Sequence, residues 1–141
     1  MVERIDFYIL AAAGSREQAV FACRLCEKAY DQGLRTFVRI PDEQWARAVD
    51  EMLWVFRAGS FLPHARAPRG QEPILIGDAP DVPGNFNLLI NLAADVPGDW
   101  ERYSRIAEII DQQREVLERG RERFRIYRDS GYSPQYHKLE G

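Results

Sequence analysis

Ile5-Asp6-Phe7-Tyr8-Ile9-Leu10, then Ser15-Arg16-Glu17-Gln18, then Thr36-Phe37-Val38-Arg39-Ile40 is the stretch that decides the fold. Its first and last pieces are rich in β-branched and aromatic residues, which suits strands. Between them Ala19, Ala22, Cys23, Cys26, Ala29 and Tyr30 recur at helical spacing and are mostly small. This pattern predicts a helix from Ser15 to about Gln32 that lies close against a sheet. Ser15 and Gln18 have the spacing of a capping box, and Gly33 suits a left-handed C-terminal cap. Strand, helix and strand at this spacing make a βαβ unit, whose crossover requires parallel strands and a right-handed connection. An α/β fold with a mostly parallel sheet is expected, its first strand near the centre.

Working outward, Pro41-Asp42 opens a second helix whose apolar residues are Trp45, Ala48, Val49, Met52, Leu53 and Phe56. They fall within an arc of about 140° at 100° per residue, whereas Trp54 lies roughly opposite Trp45, on the side of Arg47 and Asp50. The polar Pro/Gly loop from Pro68 to Pro73 leads to apolar runs Ile74-Leu75-Ile76 and Leu88-Leu89-Ile90-Asn91-Leu92, read as buried strands. Asp81-Val82-Pro83-Gly84 and Asp95-Val96-Pro97-Gly98 are turn chemistry rather than a domain repeat. Periodicity leaves Arg105-Ile106-Ala107-Glu108-Ile109-Ile110 open between a strand and the start of a long helix. A helix follows from Gln113 to about Asp129, with Val116, Leu117, Gly120, Phe124 and Tyr127 on its apolar face. Arg114, Arg121 and Arg128 at heptad spacing, with Arg125 beside them, form a basic ridge along that face. One domain over residues 1–132 is expected, with residues 133–141 as a flexible tail.

Composition excludes several classes of function. At 141 residues, 45% apolar and 29% charged, the chain can bury a core without staples. No run of about 18 apolar residues is present, and Glu3, Arg4 and Asp6 interrupt any apolar leader, so a cytoplasmic location without a membrane is the expectation. A net charge of -3 argues against bulk coating of nucleic acid. Cys23 and Cys26 form a CxxC, but mid-helix and without further ligands it lacks both the helix N-terminus of a redox pair and the ligand set of a zinc site. No metal and no cofactor are expected. The turn Ala11-Ala12-Ala13-Gly14-Ser15 lacks the glycines of a dinucleotide or P-loop site. His64 and His137 stand outside GxSxG or HExxH patterns, and Asp78 and Asp81 read as turn formers.

Two features resist a purely structural reading: Trp54, off its helix's apolar stripe, and the arginine ridge. An aromatic pocket rimmed by fixed positive charge suits a peptide ending in acidic residues, an aromatic and a free carboxylate.

Together with the opening strand Asp6-Phe7-Tyr8-Ile9-Leu10, the elements Glu51-Met52-Leu53-Trp54, Ser60-Phe61-Leu62-Pro63-His64 and Arg121-Glu122-Arg123-Phe124-Arg125-Ile126-Tyr127-Arg128 before Gly131-Tyr132 carry a resemblance over nearly the whole chain. The sequence resembles the chi subunit family of the bacterial DNA polymerase III holoenzyme, accessories of the clamp loader. The resemblance implies a Rossmann-like open sheet with helices on both faces and no bound nucleotide, and it favours a strand at 105–110. It implies a non-catalytic adaptor, monomeric alone and a heterodimer with the psi subunit, that meets nucleic acid indirectly through the acidic tail of single-stranded DNA-binding protein. It places Trp54, Arg121 and Phe124 at the tail site, to which the basic ridge adds Arg114 and Arg128. Leu117 stands where better-known members carry a base, so Arg114 or Arg119 is expected to supply that charge. Phe61 is implied in the psi contact, extended to Leu62, Pro63 and His64. The rival readings are a small-molecule or nucleotide-processing enzyme on the same scaffold, and direct DNA binding by the ridge.

Overall fold

Alternation of side chains along the strands divides the core into two layers, and the helices sort onto those layers. The computed structural model describes residues 2–57, 62–67, 71–78 and 86–139. Among the described residues seven strands form one sheet: β1 (Arg4–Ile9), β2 (Thr36–Arg39), β3 (His64–Arg66), β4 (Ile74–Gly77), β5 (Leu88–Asn91), β6 (Arg105–Ile110) and β7 (Gln135–Lys138). Their spatial order is β3-β4-β2-β5-β6-β1-β7 and every pairing is parallel. Helices α1 (Ser15–Asp31) and α2 (Glu43–Val55) cover one face and α3 (Arg114–Asp129) the other. In β6, Ala107 and Ile109 join the α1/α2 layer while Ile106 and Ile110 join the α3 layer. This is the period of two that a strand imposes. The expected Rossmann-like α/β fold is present, and residues 105–110 are a strand.

Local chemistry explains the boundaries. Asp42 caps α2 by accepting a hydrogen bond from the Trp45 amide at 3.0 Å. Gly33, at φ 75°, turns the chain out of α1, its amide and that of Leu34 donating to the Tyr30 and Ala29 carbonyls. The expected capping box does not form: Gly14 occupies the cap position without a side-chain cap. Gln18 is buried and donates from Nε2 to the Ile109 carbonyl at 3.0 Å. That carbonyl lies just past the last β5–β6 pair, Asn91 with Glu108, so a side chain meets the acceptor that the sheet leaves open.

Three other expectations change. β1 lies one strand in from the edge rather than at the centre, and β5 and β6 separate it from β2, so the βαβ strands are parallel without being neighbours. Residues 64–66 form an edge strand that periodicity did not reveal, because three residues carry no measurable period. The segment after Gly131, expected to be loose, supplies β7, paired with β1 in the register Phe7 to Tyr136 and Ile9 to Lys138. A polar strand at a sheet edge has little apolar alternation to announce it, since one side of it faces water.

The two cysteines are free and fully buried among small residues where α1 meets the sheet, and burial pushes the Cys23 thiol up to about 12 and that of Cys26 up as well. Among the described residues no helix is long and apolar enough to cross a membrane, and no cluster of potential metal ligands is found.

Candidate functional site

α3 is held to the sheet by a buried polar network that its arginine-rich sequence concealed. Gly120, Arg123 and Tyr127 form the innermost line of the helix, and an added Cβ at Gly120 would come within 2.7 Å of Ile110 Cδ1. Arg123 therefore points into the core rather than joining the ridge. Its Nε donates to Glu108 Oε1 at 2.8 Å and its Nη1 to the Ala94 carbonyl at 2.8 Å. Glu108, fully buried, also accepts from the Tyr127 hydroxyl at 2.6 Å and from Asn91 Nδ2 at 3.0 Å. Burial, then the adjacent carboxylate, pushes the Tyr127 phenol far above its usual range. The sequence held a signal: a lone glutamate inside an apolar strand, and an arginine three residues from Gly120 and four from Tyr127.

This anchoring sets α3 beside β1 and β7 with a groove of about 660 Å³ between them. Phe7, Ile9 and Ile110 make its apolar floor. Leu117, Arg121 and Phe124 stand along the α3 wall, and Tyr136 and Lys138 along the β7 wall. Phe124 and Tyr136 stack with ring centroids 4.8 Å apart and planes 5° apart, while Phe7 meets Phe124 edge-on at 5.2 Å. Arg121 and Lys138 are exposed and make no ion pair among the described residues. Two uncommitted cations beside an apolar floor can take a carboxylate and an adjoining apolar side chain together.

The expected tail-site residues divide on this geometry. Leu117, Arg121 and Phe124 line the groove. Arg114 does not line it, being 93% exposed and bonded to Glu118 at 3.1 Å, and Arg119 lies 3.7 Å from Glu122. Arg128 also lies outside it, 3.8 Å from Asp129. Trp54 is not brought to the groove at all: it projects from α2, on the opposite face of the sheet, and its ring lies 4.5 Å from that of His64. A helix's own period fixes only the angle round that helix; which face of the sheet the helix covers is a matter of topology. Tyr136 and Lys138 were missed because they lie on a strand that the sequence did not disclose.

The segment expected to meet psi also divides. Phe61 lies outside the described residues. Leu62 is fully buried in the α1/α2 layer, and His64 is buried at the start of β3. The His64 ring faces the Leu62 carbonyl through Nδ1 at 2.6 Å and the Asp50 carboxylate through Nε2 at 2.8 Å. These two side chains hold the β3 edge together rather than present themselves. Pro63 is half-buried, while Trp54 and Val55 are exposed in the last turn of α2.

Where other α/β folds bind phosphate, at the turn after β1, the Gly14 amide donates to Asp111 Oδ2 at 2.9 Å. Asp111 is fully buried and also accepts from the Gln113 amide at 2.9 Å. A carboxylate of the chain itself thus takes the amide that would meet an anion, and its charge opposes a second one.

Residues 2–135 match the family described as DNA polymerase III chi subunit, HolC. The chain belongs to this family. It therefore has an accessory role in DNA replication, among the protein subunits of the polymerase III holoenzyme. The DNA polymerase III subunit chi of Pseudomonas aeruginosa is 38% identical over 138 residues, covering 96% of each chain. That of Escherichia coli strain K12 is 26% identical over 115 residues, covering 79% of this chain and 78% of the relative. Among solved structures, a DEAD box protein from the hyperthermophile Methanococcus jannaschii superposes with a TM-score of 0.59 at 14% identity, over 99% of this chain and 42% of that one. Domain 2 of the DEAD-box helicase Mss116p, bound to an RNA duplex, superposes with a TM-score of 0.60 at 12% identity, over 96% of this chain and 64% of that one. At such identities the likeness is one of fold.

Proposed function

We propose that the chain is a non-catalytic adaptor that binds the acidic C-terminal tail of single-stranded DNA-binding protein in the groove between α3 and β7. The observation that carries this reading is Arg121, exposed and without an ion pair among the described residues, at the lip of an apolar groove walled by Phe124. The tail's terminal carboxylate pairs with Arg121 and its terminal aromatic enters against Phe7 and Phe124. The buried Asp111 at the β1 turn weighs against the rival nucleotide-processing enzyme.

The second partner is the psi subunit, at the β3 edge on the other face. Trp54 belongs to this surface, its ring against that of His64 at the start of β3, with Phe61 following from the family resemblance. Aromatic anchors of this kind supply much of the energy of an interface. Two partners on opposite faces bind without competing, which is what an adaptor between the clamp loader and coated template requires.

Calorimetric titration with a tail peptide tests the first site. Binding should weaken with added salt and fall at least about tenfold in Arg121→Ala, the order of one charge-assisted contact. Trp54→Ala should leave the peptide affinity unchanged and weaken co-purification with psi. No measurable peptide binding, or a loss in Trp54→Ala equal to that in Arg121→Ala, contradicts the two-surface reading.

A further inference from the structure

The peptide groove has two walls, and only one of them is helical. In β7 the alternation of a strand sends Tyr136 and Lys138 to the α3 side, and His137 to the other. Tyr136 lies flat on Phe124, so β7 and α3 share one aromatic wall. His137 meets the buried Asp6 carboxylate at 2.7 Å and stacks on Tyr8 at 5.0 Å, and the Leu139 amide donates to the Ile9 carbonyl at 2.9 Å. The strand is thus fastened on the face away from the groove, which leaves its groove side available. On the α3 wall Leu117 is apolar, and Arg114 and Arg119 are turned toward their own glutamates. The second cation that lines the groove is Lys138.

Resting on the function proposed above, we propose that β7 is a working half of the peptide site, in which Lys138 binds an aspartate side chain of the tail while Arg121 takes its terminal carboxylate. A groove with one cation on each wall selects peptides with at least two separated carboxylates, and it discriminates against an apolar peptide with a free terminus alone.

The test uses the full chain and a synthetic peptide of aspartates ending in phenylalanine, together with a counterpart in which asparagine replaces each aspartate. Lys138→Ala should weaken the aspartate peptide about tenfold and leave the asparagine peptide unchanged. Lys138→Glu should weaken it further. Adding Leu117→Lys to Lys138→Ala should restore most of the affinity, because the new ammonium enters the same groove from the other wall. Lys138 is exposed, so circular dichroism should find Lys138→Ala and Lys138→Glu folded. Full affinity in Lys138→Ala, with loss in Arg121→Ala, would overturn this inference and leave the tail site standing. Failure of the wild-type chain to bind either peptide would overturn the tail site itself.

Discussion

Replacing Arg123 by methionine should unfold this protein far more readily than replacing any arginine of the exposed ridge. Arg123 is 4% exposed and Glu108 0%, so the substitution keeps the helix and most of the packing but leaves a carboxylate in the core without its cation. Removing one partner of such a pair costs about 3–5 kcal/mol, against a total stability of about 5–15 kcal/mol for a domain. For a chain of this length that is a fall in melting temperature of roughly 10–15 °C. Urea unfolding followed by circular dichroism measures it. The diagnostic variant adds Glu108→Gln to Arg123→Met: the amide oxygen still accepts from Tyr127, while the stranded charge is gone. The double variant should be more stable than Arg123→Met alone, a non-additivity that follows from charge rather than from lost packing. A cost below about 1 kcal/mol for Arg123→Met, or further destabilisation on adding Glu108→Gln, refutes the argument. Arg125→Met, on the exposed side, should change stability by no more than about 0.5 kcal/mol.

Gly120→Val should destabilise by about 2 kcal/mol or more through its clash with Ile110, and Ile110→Val should recover part of the loss in the same urea assay. The Cys23 and Cys26 thiols, held up by burial, should not react with a thiol reagent at neutral pH until the chain unfolds; rapid labelling of the native protein contradicts that reading. Burial raises the Tyr103 phenol from 10.0 to about 12, so the unfolded chain releases that proton first as pH rises. The stability contributed by the neutral phenol is complete below pH 10 and is lost through the interval up to about 12, and Tyr103→Phe should flatten the decline over that range.

The amino-acid sequence by itself determined the α/β class, because the β-branched and aromatic run from Ile5 to Leu10 suits a strand and the helical spacing of small residues from Ala19 to Tyr30 is imposed by backbone geometry. It also disclosed Arg121 and Phe124 as neighbours along one side of α3, since spacing on a single helix is local information. It did not disclose that Trp54 and Arg121 lie on opposite faces of the sheet. Strand order and helix side are set by long-range pairing, and both arrangements would satisfy the same local pattern. Nor did it reveal β7, whose four residues are stabilised by hydrogen bonds to β1 rather than by an apolar face of their own. Arg123 was hidden among its exposed neighbours for a related reason. A charged side chain enters a core only where a partner is waiting, and Glu108, on a strand laid against α3 by the fold, is that partner.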